Sequence, residues 1–326
     1  MNYFSKSFIS SFLLLFLSVP FVNTAVAASD YRIISDYRVH VRISPHRYAR
    51  LTKKLRIGTV IKQIKRSTAP EKIRSVLDYW YKIETSDGKQ GWIFGKKFSN
   101  FDTSQRAQAY LQLVKKQLKA NLTVSKQMEL TDFLFKAQNQ IKYPADIAAE
   151  LSLSHLSSLQ TAINKLDVNK SYLPPYRRWV ERQQQRYLIY FDEVQDTWLI
   201  NSQTFWDLHD KYYQLPISDE IAWAAIENGF GGECEGIFEC EFQRVYDTSI
   251  KYLKFHPTGK YANQALDDIA KFIGSSKTPV RLPQEDFEYL QMQISISQQV
   301  IKKTNYQQKQ KLLNQITQLA ALIKPE

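Results

Sequence analysis

Cysteine is scarce, with two residues in 326, which leaves no four-thiolate metal site and no disulfide-rich scaffold. Glycine and proline are also few, at 10 and 11, so collagen-like, linker-rich and low-complexity architectures are excluded. The five histidines, His40, His46, His155, His209 and His256, fall at no zinc-ligand spacing, and no glycine-rich loop suited to phosphate occurs. Beyond residue 28 no apolar run reaches the length needed to cross a bilayer. What the chain does have is 44% hydrophobic and 13% aromatic residues, enough for a sizeable buried core. It also has 44 Lys plus Arg against 32 Asp plus Glu, and this net charge of +12 raises the question of a polyanionic partner.

Residues 1–27 read as a secretory signal peptide. Lys6 gives a positive start, Phe8 to Val22 form an apolar run broken by Ser10, Ser11, Ser18 and Pro20, and Ala25-Val26-Ala27 supplies the small residues of a cleavage site. The other reading is an uncleaved anchor helix, which needs about 20 predominantly apolar residues. With no cysteine near the cut, N-terminal lipid attachment has no acceptor. The expectation is an exported protein, periplasmic or secreted, with no membrane span after signal cleavage.

The positive charge is unevenly placed. Residues 29–101 carry 17 basic and 6 acidic side chains, whereas residues 102–326 carry 26 of each. A composition boundary near Asp102 therefore divides the chain into a basic part, 28–101, and an electrically balanced part, 102–326, expected to be separate folding units. The basic part has a strand-like texture. Tyr37 to Ile43 alternates, Gly58-Thr59-Val60-Ile61-Lys62-Gln63-Ile64 follows a glycine turn, and Trp80 to Thr85 alternates again. Ser86-Asp87-Gly88-Lys89 reads as a hairpin turn, because its residues tolerate positive φ, and Gln90-Gly91-Trp92-Ile93-Phe94 is the returning strand.

Taken together, Val39-His40-Val41-Arg42, Leu55-Arg56-Ile57-Gly58-Thr59-Val60, Trp80-Tyr81-Lys82-Ile83 and Asp87-Gly88-Lys89-Gln90-Gly91-Trp92-Ile93 resemble the bacterial Src-homology-3 (SH3-like) domain. The resemblance spans Tyr31 to Phe101. It departs from the family at Arg42-Ile43-Ser44-Pro45, which lacks the usual small-residue turn, and at Ser67 to Asp78, which looks like an insertion. It implies a small β-barrel, and a role beside cell-wall enzymes or in binding peptidoglycan.

Strand alternation puts Trp80, Lys82 and Glu84 on one face and Tyr81 and Ile83 on the other, with Ile83 toward the core. Trp80 then joins Trp92, Tyr48, Arg47, Arg50, Lys96 and Lys97 in a candidate aromatic and cationic groove for sugar rings, peptides or carboxylates. The alternative is that both tryptophans are core residues and the bases a solvated shell.

From Asp102 the period becomes helical. Ala107, Tyr110, Leu111, Val114 and Leu118 recur at helical spacing behind an Asp102 or Thr103 cap, and further helices are expected over 126–141, 146–166 and 174–185. A hairpin is expected at 186–191 and 197–200. Aligning Pro216 with Pro257 reveals two degenerate copies within 205–274, which resemble the tetratricopeptide-like helical hairpins of exported bacterial proteins and imply a protein-interaction scaffold. Two amphipathic helices, through Phe287 to Ile301 and Leu312 to Ile323, close the chain.

Cys234 and Cys240, in an oxidising compartment, are expected to bond to each other; the alternative is a thiol nucleophile served by His256 or His209. Glu233, Glu235, Glu239 and Glu241 crowd the same segment, but the regular aspartate spacing of a calcium loop is missing. No catalytic residue, metal or cofactor is assigned. The fold class is multidomain β plus α, a small N-terminal SH3-like barrel followed by a mainly α-helical, repeat-like part. The functional expectation is a noncatalytic envelope protein that binds peptidoglycan or another anionic envelope polymer, with a protein partner on the helices. The alternative is a cell-wall hydrolase, or the regulator of one, whose catalytic domain carries no recognisable signature.

Overall fold

A computed structural model describes residues 30–140, 142–229, 231–276 and 279–326; the expected signal peptide at 1–27 lies outside the described residues. The basic part is an antiparallel sheet and the remainder is mainly helical. The strands are β1 (Tyr31–Ile34), β2 (Val39–Arg42), β3 (Leu51–Leu55), β4 (Val60–Arg66), β5 (Glu71–Ile73), β6 (Val76–Asp78), β7 (Trp80–Thr85), β8 (Gln90–Phe94) and β9 (Phe98–Asn100). Seven of them pair in the order β3-β2-β8-β7-β4-β1-β9, while β5 and β6 form a separate hairpin. No closed barrel is found among the described residues, since the order ends on β3 and β9.

The Asp-Gly turn forms where its chemistry predicts. Gly88 takes φ +74, the Thr85 N–H donates to the Lys89 carbonyl at 3.0 Å, and β7 runs back into β8 with Glu84 opposite Gln90. Alternation along β7 buries Tyr81, Ile83 and Thr85, and Tyr81 and Ile83 pack with Ile34, Val41, Leu55 and Ile93 inside the sheet. Trp80 departs from the expected exposed position. It is 2% exposed, because the inserted β5–β6 hairpin folds back over that face and Glu71 Oε2 accepts from Trp80 Nε1 at 2.7 Å.

Asp102 caps the turn into the first helix, accepting from the Ser104 N–H at 2.8 Å. The helices that follow are α1 (Arg106–Leu118), α2 (Val124–Gln140), α3 (Ala145–Asn164), α4 (Val168–Ser171) and α5 (Tyr176–Gln184), and then comes a hairpin of β10 (Ile189–Asp192) and β11 (Thr197–Ile200). The composition boundary at Asp102 is not a gap in packing. Ile33 and Ile57 from the sheet share one core with Phe101, Tyr110, Phe133 and Leu134. The Ile57 N–H also donates to Glu129 Oε1 at 3.0 Å, and the Tyr37 hydroxyl donates to Gln117 Oε1 at 2.9 Å.

A larger core holds the rest: α6 (Gln203–Lys211), α7 (Ser218–Glu227), α8 (Phe238–Val245), a π-helical turn (Tyr246–Ile250), α9 (Lys251–Phe255), α10 (Ala262–Ser275), α11 (Gln284–Lys302) and α12 (Lys309–Leu322). The segments aligned on Pro216 and Pro257 are each a helix, a proline turn and a second helix. Asp219 in α7 ties the copies together by accepting from the Tyr252 hydroxyl and, at 2.7 Å, from the Lys260 N–H. Ile323, expected in the final helix, instead begins β13 (Ile323–Pro325), which pairs in parallel with β12 (Val280–Leu282).

Candidate functional site

The residues expected to form an aromatic and cationic groove are only partly brought together. Trp92 on β8 is half-buried on the outer face of the sheet, opposite Arg42 and Lys82, with Lys65 Nζ 5.9 Å from its ring centroid. The exposed Tyr48 carries the Arg47 guanidinium at 4.8 Å, and Arg47 Nε lies 3.9 Å from the Glu71 carboxylate that also holds Trp80. Trp80 offers no free face and serves as the anchor beneath this patch. Lys97 is held by Asp36 at 2.6 Å, and that ion pair and two hydrogen bonds outweigh desolvation to keep the half-buried Asp36 carboxyl below its ordinary range. Lys96 and Arg50 are exposed and make no side-chain ion pair among the described residues.

A second cationic region, absent from the sequence reading, lies where the sheet meets the helices. A cavity of about 540 Å³ is walled by Arg38, Lys54 and Arg56 on one side and by Arg178 and Arg182 on α5 on the other. Two acids reach it from α2. Glu129 is engaged by the Ile57 N–H, and Asp132 accepts from Trp179 Nε1 at 3.1 Å with Arg182 at 3.8 Å. The Arg177-Arg178-Trp179 run was the only local signal of this wall in the sequence.

The candidate catalytic groups arrange themselves differently. Cys234 and Cys240 are bonded to each other, so neither sulfur is free to attack and the thiol-nucleophile alternative falls. Their loop is pinned to the β10–β11 hairpin, where Asp192 accepts from the Gly232 N–H at 2.7 Å. Glu239 and Glu241 lie in the first turn of α8, where the helix dipole favours carboxylates, and among the described residues no group of three or more His, Cys, Asp or Glu gathers to hold a metal. Closing a loop with a sequence separation of 6 contributes about 2 kcal/mol by chain entropy. A Cys234→Ala/Cys240→Ala double variant is therefore expected to lose about 2 kcal/mol in urea unfolding. A loss below about 0.5 kcal/mol would show that Asp192 alone fixes the loop.

Two histidine sites are buried in the helical part. The His209 Nδ1 faces Asp210 Oδ1 at 3.1 Å and its Nε2 lies 3.0 Å from His256 Nε2. With His209 donating from Nδ1 to Asp210, its Nε2 accepts from the Nε2–H of His256. Burial, the largest cause, lowers the His256 pKa, and the neighbouring His209 adds to this, while Asp219 and Glu220 oppose it. His155 is fully buried, with Nδ1 3.3 Å from the Tyr187 hydroxyl and 3.4 Å from the Gln138 amide nitrogen, and its Nε2 has no partner among the described residues.

Comparison with family models, curated proteins and solved structures returned no match for this chain. The functional reading accordingly rests on the chain's own charge and geometry.

Proposed function

We propose that the protein is an exported, noncatalytic component of the cell envelope, whose SH3-like basic part binds peptidoglycan or another anionic envelope polymer while the helices serve as scaffold for a protein partner. The observation that carries this reading is the concentration of unneutralised charge. Residues 29–101 hold 17 basic side chains against 6 acidic ones, and Arg50, Lys54, Lys62 and Lys96 in that segment are exposed with no ion-pair partner among the described residues. Such a surface repels itself until an anionic ligand neutralises it. The disulfide fits an oxidising compartment.

The test is retention of the full chain on purified peptidoglycan as salt rises from about 0.1 M to 1 M, which shrinks the screening length from about 10 Å to 3 Å. Retention is expected to fall at least tenfold across that range. Retention independent of salt, or none at low salt, would reject this reading. Tyr48→Ala, at the exposed aromatic, reports any stacking contribution that persists at high salt.

A further inference from the structure

The cavity between the sheet and α5 does not stand alone. A cavity of about 410 Å³ shares its Lys54, Arg56 and Asp132, and one of about 250 Å³ shares Arg56, Asp132 and Arg182 while adding Lys136 and Arg186. The three adjoin one another along α2 from Ser125 to Lys136, a distance of roughly 16 Å at the α-helical rise. Both banks are cationic, and each comes from a different part of the chain. Among the described residues the side chains of Arg38, Lys54, Arg56 and Arg178 make no hydrogen bond or ion pair, although they line one cavity. Like charges held together unpaired raise the free energy of the empty groove, and a bound anion would reverse the sign of that term. Arg38 also takes φ +49, a left-handed conformation that costs an arginine about 1–2 kcal/mol. The bond between the Tyr37 hydroxyl and Gln117 Oε1 and that from Gln117 Nε2 to the Ser35 carbonyl, at 2.9 Å each, hold the adjoining loop against α1.

We infer that this seam is the polymer site, and that its ligand is a carboxylate-bearing glycan strand held between Arg38, Lys54 and Arg56 on one bank and Arg178 and Arg182 on the other. The inference rests on the anionic-polymer reading above and adds that the site exists only where the two parts meet. Arginine supplies four of these five side chains, and its planar fork pairs with a carboxylate through two parallel bonds. The aromatics in the first cavity, Tyr176 and Trp179, are half-buried and buried, so the stacking platform that a strand of nucleobases requires is missing there. The groove's acids are engaged by Ile57, Trp179 and Arg182 and fix its walls.

Binding of the full chain to a fluorescent oligogalacturonate, with an uncharged glucan oligomer as control, tests this by anisotropy. Arg178→Gln/Arg182→Gln on α5 and Arg38→Gln/Arg56→Gln on the sheet are each expected to weaken binding at least tenfold. Lys65→Gln/Lys82→Gln, on the outer sheet face beside Trp92, should stay within twofold. Thermal melts check that each variant is folded, and Arg178→Gln alone, which removes no internal bond, is expected to cost at least threefold. Loss confined to the Lys65/Lys82 variant would overturn the seam and leave the polymer reading standing on the outer face. Failure of the unmodified chain to bind oligogalacturonate or peptidoglycan would overturn both. Tighter binding of single-stranded DNA, lost in the same arginine variants, would overturn the glycan as ligand.

Discussion

Gly58→Ala is expected to destabilise the whole chain by about 2–5 kcal/mol, because two separate penalties meet at that position. Gly58 has φ +79 in the turn between β3 and β4, a conformation costing a residue with a Cβ about 1–2 kcal/mol. An added Cβ would also stand 2.1 Å from Cε2 of Phe133 on α2, so the ring must move. Phe133 is only 9% exposed and meets Tyr110 edge to face at 5.3 Å, which leaves it little room, and overpacking of this kind costs about 1–3 kcal/mol. Since Phe133 shares its core with Ile33 and Ile57, the loss belongs to the sheet and the helices together. Urea unfolding followed by tryptophan fluorescence and by helical circular dichroism should show both midpoints falling in step. In a Phe133→Ala background the same glycine substitution should cost only the backbone part, about 1–2 kcal/mol. A Gly58→Ala loss under 1 kcal/mol, or a shift in one probe alone, would mean that the seam is not a shared core.

The seam also marks where sequence reading stops. Local chemistry identified what depends on neighbours along the chain: the Gly88 turn, the cap at Asp102, the helical period through Ala107 to Leu118, the β10–β11 hairpin and the bond between Cys234 and Cys240. Alternation placed Trp80 on the outer face of β7, and it does lie opposite Phe94 on that side, with ring centroids 5.3 Å apart. What covers that face is the β5–β6 hairpin, whose fold-back is a tertiary event that a period of two cannot encode. The parallel pairing of β12 with β13 joins two three-residue segments far apart in the chain, too short for any periodic signal. For the candidate site the same limit applies more strongly. Arg38 and Arg56 lie more than a hundred residues from Arg178, and only the packing of α2 and α5 against the sheet makes them one wall. Net charge raised the question of a polyanionic partner; it held no information on which cations converge.

Acidification is expected to weaken the fold steeply below about pH 6.5, through His155. Burial first, and the nearby Arg186 guanidinium second, push this imidazole down to about 3. Arg186 is fixed there, with its guanidinium 3.6 Å from the Phe135 ring centroid, and Phe135 in turn lies 5.7 Å from the His155 ring. In the unfolded chain the same histidine titrates near its ordinary value of about 6.5. Between these two values the unfolded state binds a proton that the folded state does not, so the stabilisation is fully present above pH 6.5 and is lost as pH falls toward 3. The slope from this one group approaches about 1.4 kcal/mol per pH unit, which amounts to roughly 2–3 kcal/mol between pH 6.5 and 4.5. His256 and His40, also lowered by burial, act in the same direction. The geometry suits the neutral form: with Nδ1 accepting from the Tyr187 hydroxyl and the Gln138 amide the proton sits on Nε2, and a second proton on Nδ1 would face the Gln138 amide N–H. Exchange of the imidazole C2 hydrogen, followed by mass spectrometry across pH, reports the His155 titration directly in the unmodified protein. A His155 midpoint near 6.5, or an unfolding free energy that stays flat from pH 7 to 4.5, would show that the ring takes up its proton inside the fold and that acid acts elsewhere.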